Sequence, residues 1–357
     1  MMFQNTYQGK RVLVTGHSGF KGSWLTRWLL GLGAHVSGLA LAPKTTPNLF
    51  TLLELDRGIE HHLVDIRDQG ALHRVIETAR PEIVFHLAAQ ALVRSSYLDP
   101  KETWDVNVGG TINLLEALRK VGGVRACLVV TSDKCYENKE QVWGYRESDP
   151  MGGHDPYSSS KGAVELAVAS WRRSYFQDPN GLRLASARAG NVIGGGDWAT
   201  DRIVVDFVKS IKADEPLVLR NPGSTRPWQH VLEPLSGYLD LGSRLCQESG
   251  WRLSQGWNFG PSDESVVDVE TLARALVSVW GNGEVRVSQD PNQPHEAGLL
   301  KLDCSKASAE LGWHGVWNFQ ETVRQTVEWY RGHHRGEDVK HLTHKQIGAY
   351  ESAAISA

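Results

Sequence analysis

Tyr157 and Lys161 stand four residues apart in Asp155-Pro156-Tyr157-Ser158-Ser159-Ser160-Lys161, and together they could take a proton from an alcohol. Pro156 favours a helix start, and residues four apart on a helix share a face, so the ammonium can sit beside the phenol. A nearby cation stabilises phenolate and draws a tyrosine pKa down from about 10, which makes Tyr157 a candidate general base. A second cluster lies upstream. The apolar run ending at Val130-Thr131 leaves the core through Ser132-Asp133-Lys134, placing a hydroxyl, a carboxylate and an amine side by side.

A third feature says what such a base would work with. Thr15-Gly16-His17-Ser18-Gly19-Phe20-Lys21-Gly22 follows an apolar strand and opens a helix. Glycines at 16, 19 and 22 permit a tight turn and close backbone approach, and a helix N-terminus offers unpaired N–H groups to a pyrophosphate. His17 can hydrogen-bond that pyrophosphate or a ribose, or face solvent, and Phe20 lies in the same turn. An acid about 20 residues on normally holds the adenosine ribose of NAD, but the second strand ends Leu39-Ala40-Leu41-Ala42-Pro43-Lys44 without one. Lys44 there favours a 2′-phosphate or is a solvated loop residue. Asp65 and Ile66 end the next strand where an adenine would lie. Leu87, Ala88 and Ala89 close the following strand along the cofactor's path, with Gln90 just beyond.

The elements that must position these residues alternate from the start. Strands are expected at 11–15, 34–41, 62–64, 83–87, 127–131 and 184–188, with helices over 22–32, 69–79, 103–121 and 156–176 between them. Alternation of this kind builds a doubly wound parallel sheet of the Rossmann type. Beyond Asn191 the rhythm breaks into loops such as Gly194-Gly195-Gly196-Asp197 and Asn221-Pro222-Gly223, which predicts a smaller substrate lobe. The expected division is a cofactor domain over 1–190 to which 228–260 returns, a lobe over 191–227 and 261–335, and a tail over 336–357. The tail is polar, with a short helix near 338–350, and reads as an arm without chemistry.

Composition narrows the class. The chain has 357 residues, 41% hydrophobic and 22% charged, with a formal net charge of -3. That balance is ordinary for a globular enzyme and provides no basic field for nucleic acid or anionic lipid. No apolar run approaches the roughly 18–20 residues that span a bilayer, and Met1-Met2-Phe3-Gln4 does not begin a signal pattern, so a cytoplasmic protein is expected. Four cysteines without CxxC spacing read as free thiols. The His61-His62 and His333-His334 doublets read as surface residues, and no metal site is expected.

These motifs together resemble the extended short-chain dehydrogenase/reductases, and more narrowly the nucleotide-sugar 4,6-dehydratases, from Lys10 to about Tyr330. The likeness includes the glycine turn, Leu87-Ala88-Ala89, Asn107, Ser132 with Tyr157 and Lys161, Arg188-Ala189-Gly190-Asn191, Arg226-Pro227-Trp228-Gln229-His230, Asn258-Phe259-Gly260 and Leu311-Gly312-Trp313. Ser132-Asp133-Lys134 differs from the Thr-Asp-Glu of dTDP-sugar members and is similar to the CDP-sugar members. The resemblance implies NAD as a regenerated cofactor, held weakly without the ribose acid, and a CDP-hexose as substrate. Tyr157, with Lys161 and Ser132, would take the C4 hydroxyl proton as hydride leaves C4 for NAD, Asp133 would protonate the departing C6 hydroxyl, and Lys134, where the family's C5 base stands, would either act as that base once deprotonated or pair with a phosphate or carboxylate.

For the diphosphate, the resemblance points to Arg226 first, then Asn191, with Arg202 and Arg94 behind. His295 departs from the arginine of dTDP-sugar members. Gln90 is expected on the substrate side, and Trp228 in the core. Such enzymes pair helices like 103–121 and 156–176 across a two-fold axis, so a homodimer or a dimer of dimers is expected. Two other readings share part of this pattern: a nucleotide-sugar 4-epimerase, which needs no elimination at C5 and C6, and a catalytically inactive NAD-sensing module, against which the retained Ser132, Tyr157 and Lys161 argue.

Overall fold

The computed structural model describes residues 2–288 and 298–356. Its centre is a seven-stranded sheet. The strands are β1 (Arg11–Thr15), β2 (His35–Ala40), β3 (Glu60–Leu63), β4 (Ile83–His86), β5 (Ala126–Val130), β6 (Arg183–Ala189) and β7 (Gly256–Phe259). They lie in the order β7-β6-β5-β4-β1-β2-β3, every neighbouring pair parallel. The order reverses between β1 and β4, and a crevice forms where connections from those strand ends part to opposite faces.

Parallel strands covered on both faces read as near-continuous apolar runs, and alternate residues go to opposite sides. Val12 and Val14 of β1 face one core, with Trp24 and Trp28 of α1 (Phe20–Gly31). Leu13 faces the other, with Leu72 and Ile76 of α2 (Gln69–Ala79), Leu114 and Leu118 of α3 (Gly110–Val121), and Val164 and Val168 of α4 (Pro156–Ser174). The first core is completed by α5 (Leu232–Leu245), whose Leu235 and Leu239 are fully buried.

Two expectations about helices need correction. The helix expected over 103–121 is divided: Pro100–Trp104 passes into a π-helical turn at Asp105–Gly109 before α3 begins at Gly110. A π turn inserts one residue and re-aims those around it, and here it contains the buried Asn107. The C-terminal stretch is also longer and better anchored than an arm. After α6 (Phe319–His334), α7 (Val339–Ser356) packs Val339, Ile347 and Tyr350 into the first core. Tyr350 donates its hydroxyl to the buried Glu233 at 2.8 Å, and Trp28 of α1 donates to Glu351 at 2.7 Å.

Outside the main sheet the strands are short and paired in twos, such as Thr225–Pro227 antiparallel with Val266–Asp268. Trp228 follows that pair and is buried, as expected, with its indole N–H on the Val267 carbonyl at 3.1 Å. All four cysteines are free. Among the described residues no helix is long and apolar enough to cross a membrane.

Candidate active site

At the end of β1 the backbone turns through Gly16 with φ at +76°, and the Gly16 N–H donates to the Leu39 carbonyl at 2.7 Å. A β-carbon on Gly16 would lie 2.7 Å from the Ala88 nitrogen, and one on Gly22 would lie 2.1 Å from the Gly16 oxygen. The turn therefore requires bare backbone where it meets the end of β4 and the start of α1. Gly19 stands at the helix N-cap position without a side-chain cap, leaving the first-turn N–H groups available to a ligand. The turn keeps open a cradle that fits a dinucleotide's pyrophosphate.

The flank of this turn is built differently from the expectation. His17 is fully buried, hydrogen-bonded to His61 at 2.7 Å between their ring nitrogens and packed edge-on against Phe50. Burial first, and the neighbouring His61 second, push its pKa down to about 4. What His17 offers a phosphate is thus its backbone, with the ring spent on packing beneath Gly38. The His61-His62 doublet is correspondingly no surface feature at His61. Asp65 is engaged by Arg67 at 2.6 Å, which holds its carboxyl below the usual range. Ile66 is buried against Gly110, where a β-carbon would come 2.4 Å from its Cδ1.

Asn107 locks the path beyond β4. It accepts the Gln90 N–H at 2.8 Å and donates to the Gln90 carbonyl at 3.1 Å and to Ser160 at 2.9 Å. The π turn thereby ties the Ala88-Ala89-Gln90 segment to α4. The Gln90 amide is itself occupied, donating to Leu92 and Thr103.

On α4, Tyr157 and Lys161 are both buried, as is Ser132 at the end of β5. Ser132 hydrogen-bonds Tyr157, donates to Asp133 at 3.0 Å and accepts the Lys134 N–H at 3.2 Å. The electrostatics depart from the expected order. Burial pushes the Tyr157 pKa up to about 12, against the Ser132 hydrogen bond, while burial lowers Lys161 to about 8, against the opposing charge of Glu165. The protein groups alone do not give a low tyrosine pKa. Lys161 donates to the Val130 carbonyl at 3.4 Å. Asp133 is buried, and its second carboxylate oxygen has no partner among the described residues.

Four features do not follow from residue spacing alone. Lys21, on the first turn of α1, joins the cluster: burial, then Lys161 and Arg202, bring its pKa to about 8, with Asp133 opposing. A cation in the first turn of a helix runs against its dipole, and that was a legible signal. His86 bridges Thr15 at 2.7 Å and Thr111 at 3.0 Å, kept neutral by burial. Tyr238 of α5 places its ring under Lys21, and its buried hydroxyl has no partner among the described residues. Glu165 and Arg188 form an ion pair with 4% and 5% of their side chains exposed.

The expected diphosphate residues are more dispersed. Arg226 is buried and donates to the Thr225 carbonyl at 2.9 Å. Arg202 stands before the helix Ile203–Ala213, 3.9 Å from Asp197, and its charge is felt at Tyr157 and Lys21. Arg94 pairs with Asp201 at 2.9 Å. Asn191 is half-buried, its carbonyl accepting the Gln229 N–H at 3.1 Å. His295 lies outside the described residues.

Known proteins resemble this chain in sequence and fold. The chain is 51% identical, over 99% of each, to a CDP-glucose 4,6-dehydratase from Salmonella typhimurium. A UDP-glucose 4-epimerase from Thermus thermophilus, solved with NAD, is 28% identical and superposes with a TM-score of 0.77, over 90% of this chain and 99% of that one. A dTDP-glucose 4,6-dehydratase from Streptomyces venezuelae shares the fold, with a TM-score of 0.77 at 24% identity, over 92% of this chain and 98% of that one. A sheet that reverses between β1 and β4, a glycine turn at that reversal and the Ser132, Tyr157 and Lys161 cluster beside it are accompanied by a family model matching residues 13–326: the chain belongs to the GDP-mannose 4,6 dehydratase family.

Proposed function

We propose that this chain converts CDP-D-glucose to CDP-4-dehydro-6-deoxy-D-glucose and water, with internal hydride transfer from C4 to C6. The observation that carries the reading is the full-length 51% identity to the Salmonella typhimurium enzyme of that name, joined to a buried Ser132, Asp133, Tyr157 and Lys161 at one strand end. NAD, for which the Gly16–Gly22 cradle has room, supplies a hydride acceptor at C4, a hydride donor at C6 and a cationic ring that favours phenolate.

The residues divide the remaining work. Tyr157 takes the proton of the C4 hydroxyl, with Ser132 holding the same oxygen and Lys161 providing positive charge. A ketone at C4 acidifies the C5 proton. The acid form of Asp133 protonates the departing C6 hydroxyl and the neutral amine of Lys134 receives the C5 proton, so water is lost without any outside reductant. Gly16, Gly19 and Gly22 with Phe20 and the His17 backbone hold the pyrophosphate of the cofactor, and Asp65, Ile66, Leu87, Ala88 and Ala89 line its adenosine and ribose side. Arg226 and Asn191 receive the sugar nucleotide's diphosphate, with Arg202, Arg94, Gln90 and His295 around it.

The same reading divides the chain into a cofactor part over 1–190 with 228–260, a nucleotide-sugar lobe over 191–227 and 261–335, and a closing tail over 336–357. It makes the protein a cytoplasmic homodimer or dimer of dimers. Exposed Leu98, Trp104 and Leu166, on neighbouring helices, support the pairing. The test incubates purified protein and NAD with CDP-, dTDP-, UDP- and GDP-glucose and weighs the products. Loss of water from CDP-glucose, with deuterium moved from C4 to the new methyl group, is expected. Simple inversion at C4 would replace the dehydratase reading with the epimerase one.

A further inference from the structure

Glu165 lies one turn beyond Lys161 on α4, and three donors converge on its carboxylate. Thr131 of the β5 end donates to Oε1 at 2.5 Å, while Ser186 and Arg188 of β6 donate to Oε2 at 2.7 and 2.8 Å. Thr131 is the residue immediately before Ser132. On the other side of the pair, Arg188 donates to the Tyr136 hydroxyl at 2.6 Å, with its guanidinium 5.1 Å from that ring's centre. Tyr136 closes the same turn, two residues after Lys134. The ion pair therefore grips both ends of the segment carrying Ser132, Asp133 and Lys134, one end through each partner.

Stability alone does not explain such a pair. Two charges removed from water are often replaceable by apolar groups without loss, whereas fixing a register is their best-attested use. Glu165 also sets an opposite charge against the Lys161 ammonium, which the positive charge of Lys21 on α1 opposes.

We propose that Glu165, paired with Arg188, is a positioning residue for the reaction: it brackets the Ser132–Lys134 turn through Thr131 and Tyr136 and sets its charge against the Lys161 ammonium. This rests on the dehydratase reading above. A cavity of about 830 Å³ adjoins the pair, lined by Glu165, Arg188, Arg172 and Lys306 among others. It gives a small carboxylate a route to the place the Glu165 side chain occupies.

The experiment uses the full chain with NAD and CDP-glucose and compares wild type with Glu165→Ala, in formate and in chloride at equal ionic strength. Expected are a fall of up to about a hundredfold in kcat and in single-turnover reduction of the nicotinamide, a KM little changed, and recovery with formate but not chloride. Thr131→Val, which leaves the ion pair intact but removes the donor to Glu165 Oε1, covers the case in which Glu165→Ala does not fold, and should slow the same step in protein that is still folded at the assay temperature. Wild-type turnover in Glu165→Ala, or in Thr131→Val where that first variant does not fold, would overturn the proposal. So would a folded, slow Glu165→Ala that formate fails to restore. A wild-type chain that releases no water from CDP-glucose would instead overturn the dehydratase reading itself.

Discussion

Gly190 leaves no room for a side chain beside Asp133: a β-carbon there would lie 3.1 Å from Asp133 Oδ2, which has no hydrogen-bond partner among the described residues, and 2.9 Å from Cγ of Pro227. Gly190 connects β6 to Asn191, and the glycine lets that connection pass close beside the proposed acid. Gly190→Ala must push either the carboxylate or the proline ring aside. Overpacking of this kind costs about 1–3 kcal/mol. The expected outcome is a lowered melting temperature and a kcat reduced with NAD binding retained, read by calorimetry and turnover. Full turnover would show that the Pro227 ring gives way and Asp133 keeps its place.

The glycine turn is tested at its most constrained point. Gly16 combines φ at +76° with a 2.7 Å approach to Ala88, so alanine there meets both backbone strain and a clash with backbone. Gly16→Ala should weaken NAD binding severely. Titration calorimetry with NAD checks it, and an unchanged dissociation constant would remove the cofactor from this cradle.

Lys134 separates the two halves of the chemistry. Methionine keeps the length and apolar stem of the side chain and removes its amine. Lys134→Met should still reduce bound nicotinamide on adding CDP-glucose, if the proposed roles of Tyr157 and Lys161 in oxidation at C4 hold, but exchange of the C5 hydrogen with deuterated water should stall. Exchange at the wild-type rate would assign the C5 base elsewhere.

What could be read in advance follows from the range of the forces involved. The sheet and the glycine turn were legible because apolar alternation and backbone freedom are local properties of Arg11–Gly22 and its successors. Tyr157 and Lys161 were legible from helical spacing, but not their pKa order, because burial of Tyr157 outweighs the Ser132 hydrogen bond and burial is set by the whole fold. Nothing in Thr103-Trp104-Asp105-Val106-Asn107 marks the π turn, which depends on where Gln90 lies. His17 looked like a phosphate ligand by position, and only its meeting with His61, 44 residues away, shows its ring turned to packing. The tail looked detached because its anchor, Glu233, is 117 residues from Tyr350 in sequence.

That anchor has a pH dependence whose sign can be worked out. Glu233 accepts the Trp317 N–H at 2.7 Å, the Val316 N–H at 2.9 Å and the Tyr350 hydroxyl at 2.8 Å, and burial outweighs these donors to raise its pKa from 4.5 to about 7. A carboxyl whose folded pKa lies above its unfolded one binds its proton more tightly when folded. Its contribution to stability is complete below the unfolded value and is lost as pH rises through about 7. Glu233→Gln removes the titration but turns an amide N–H toward the Val316 N–H, which costs on the order of 1 kcal/mol at acid pH. The wild-type melting temperature should therefore fall on going from mildly acidic to mildly alkaline buffer by more than that of the variant, narrowing the gap between them. Parallel curves across that interval would show that Glu233 keeps one protonation state throughout.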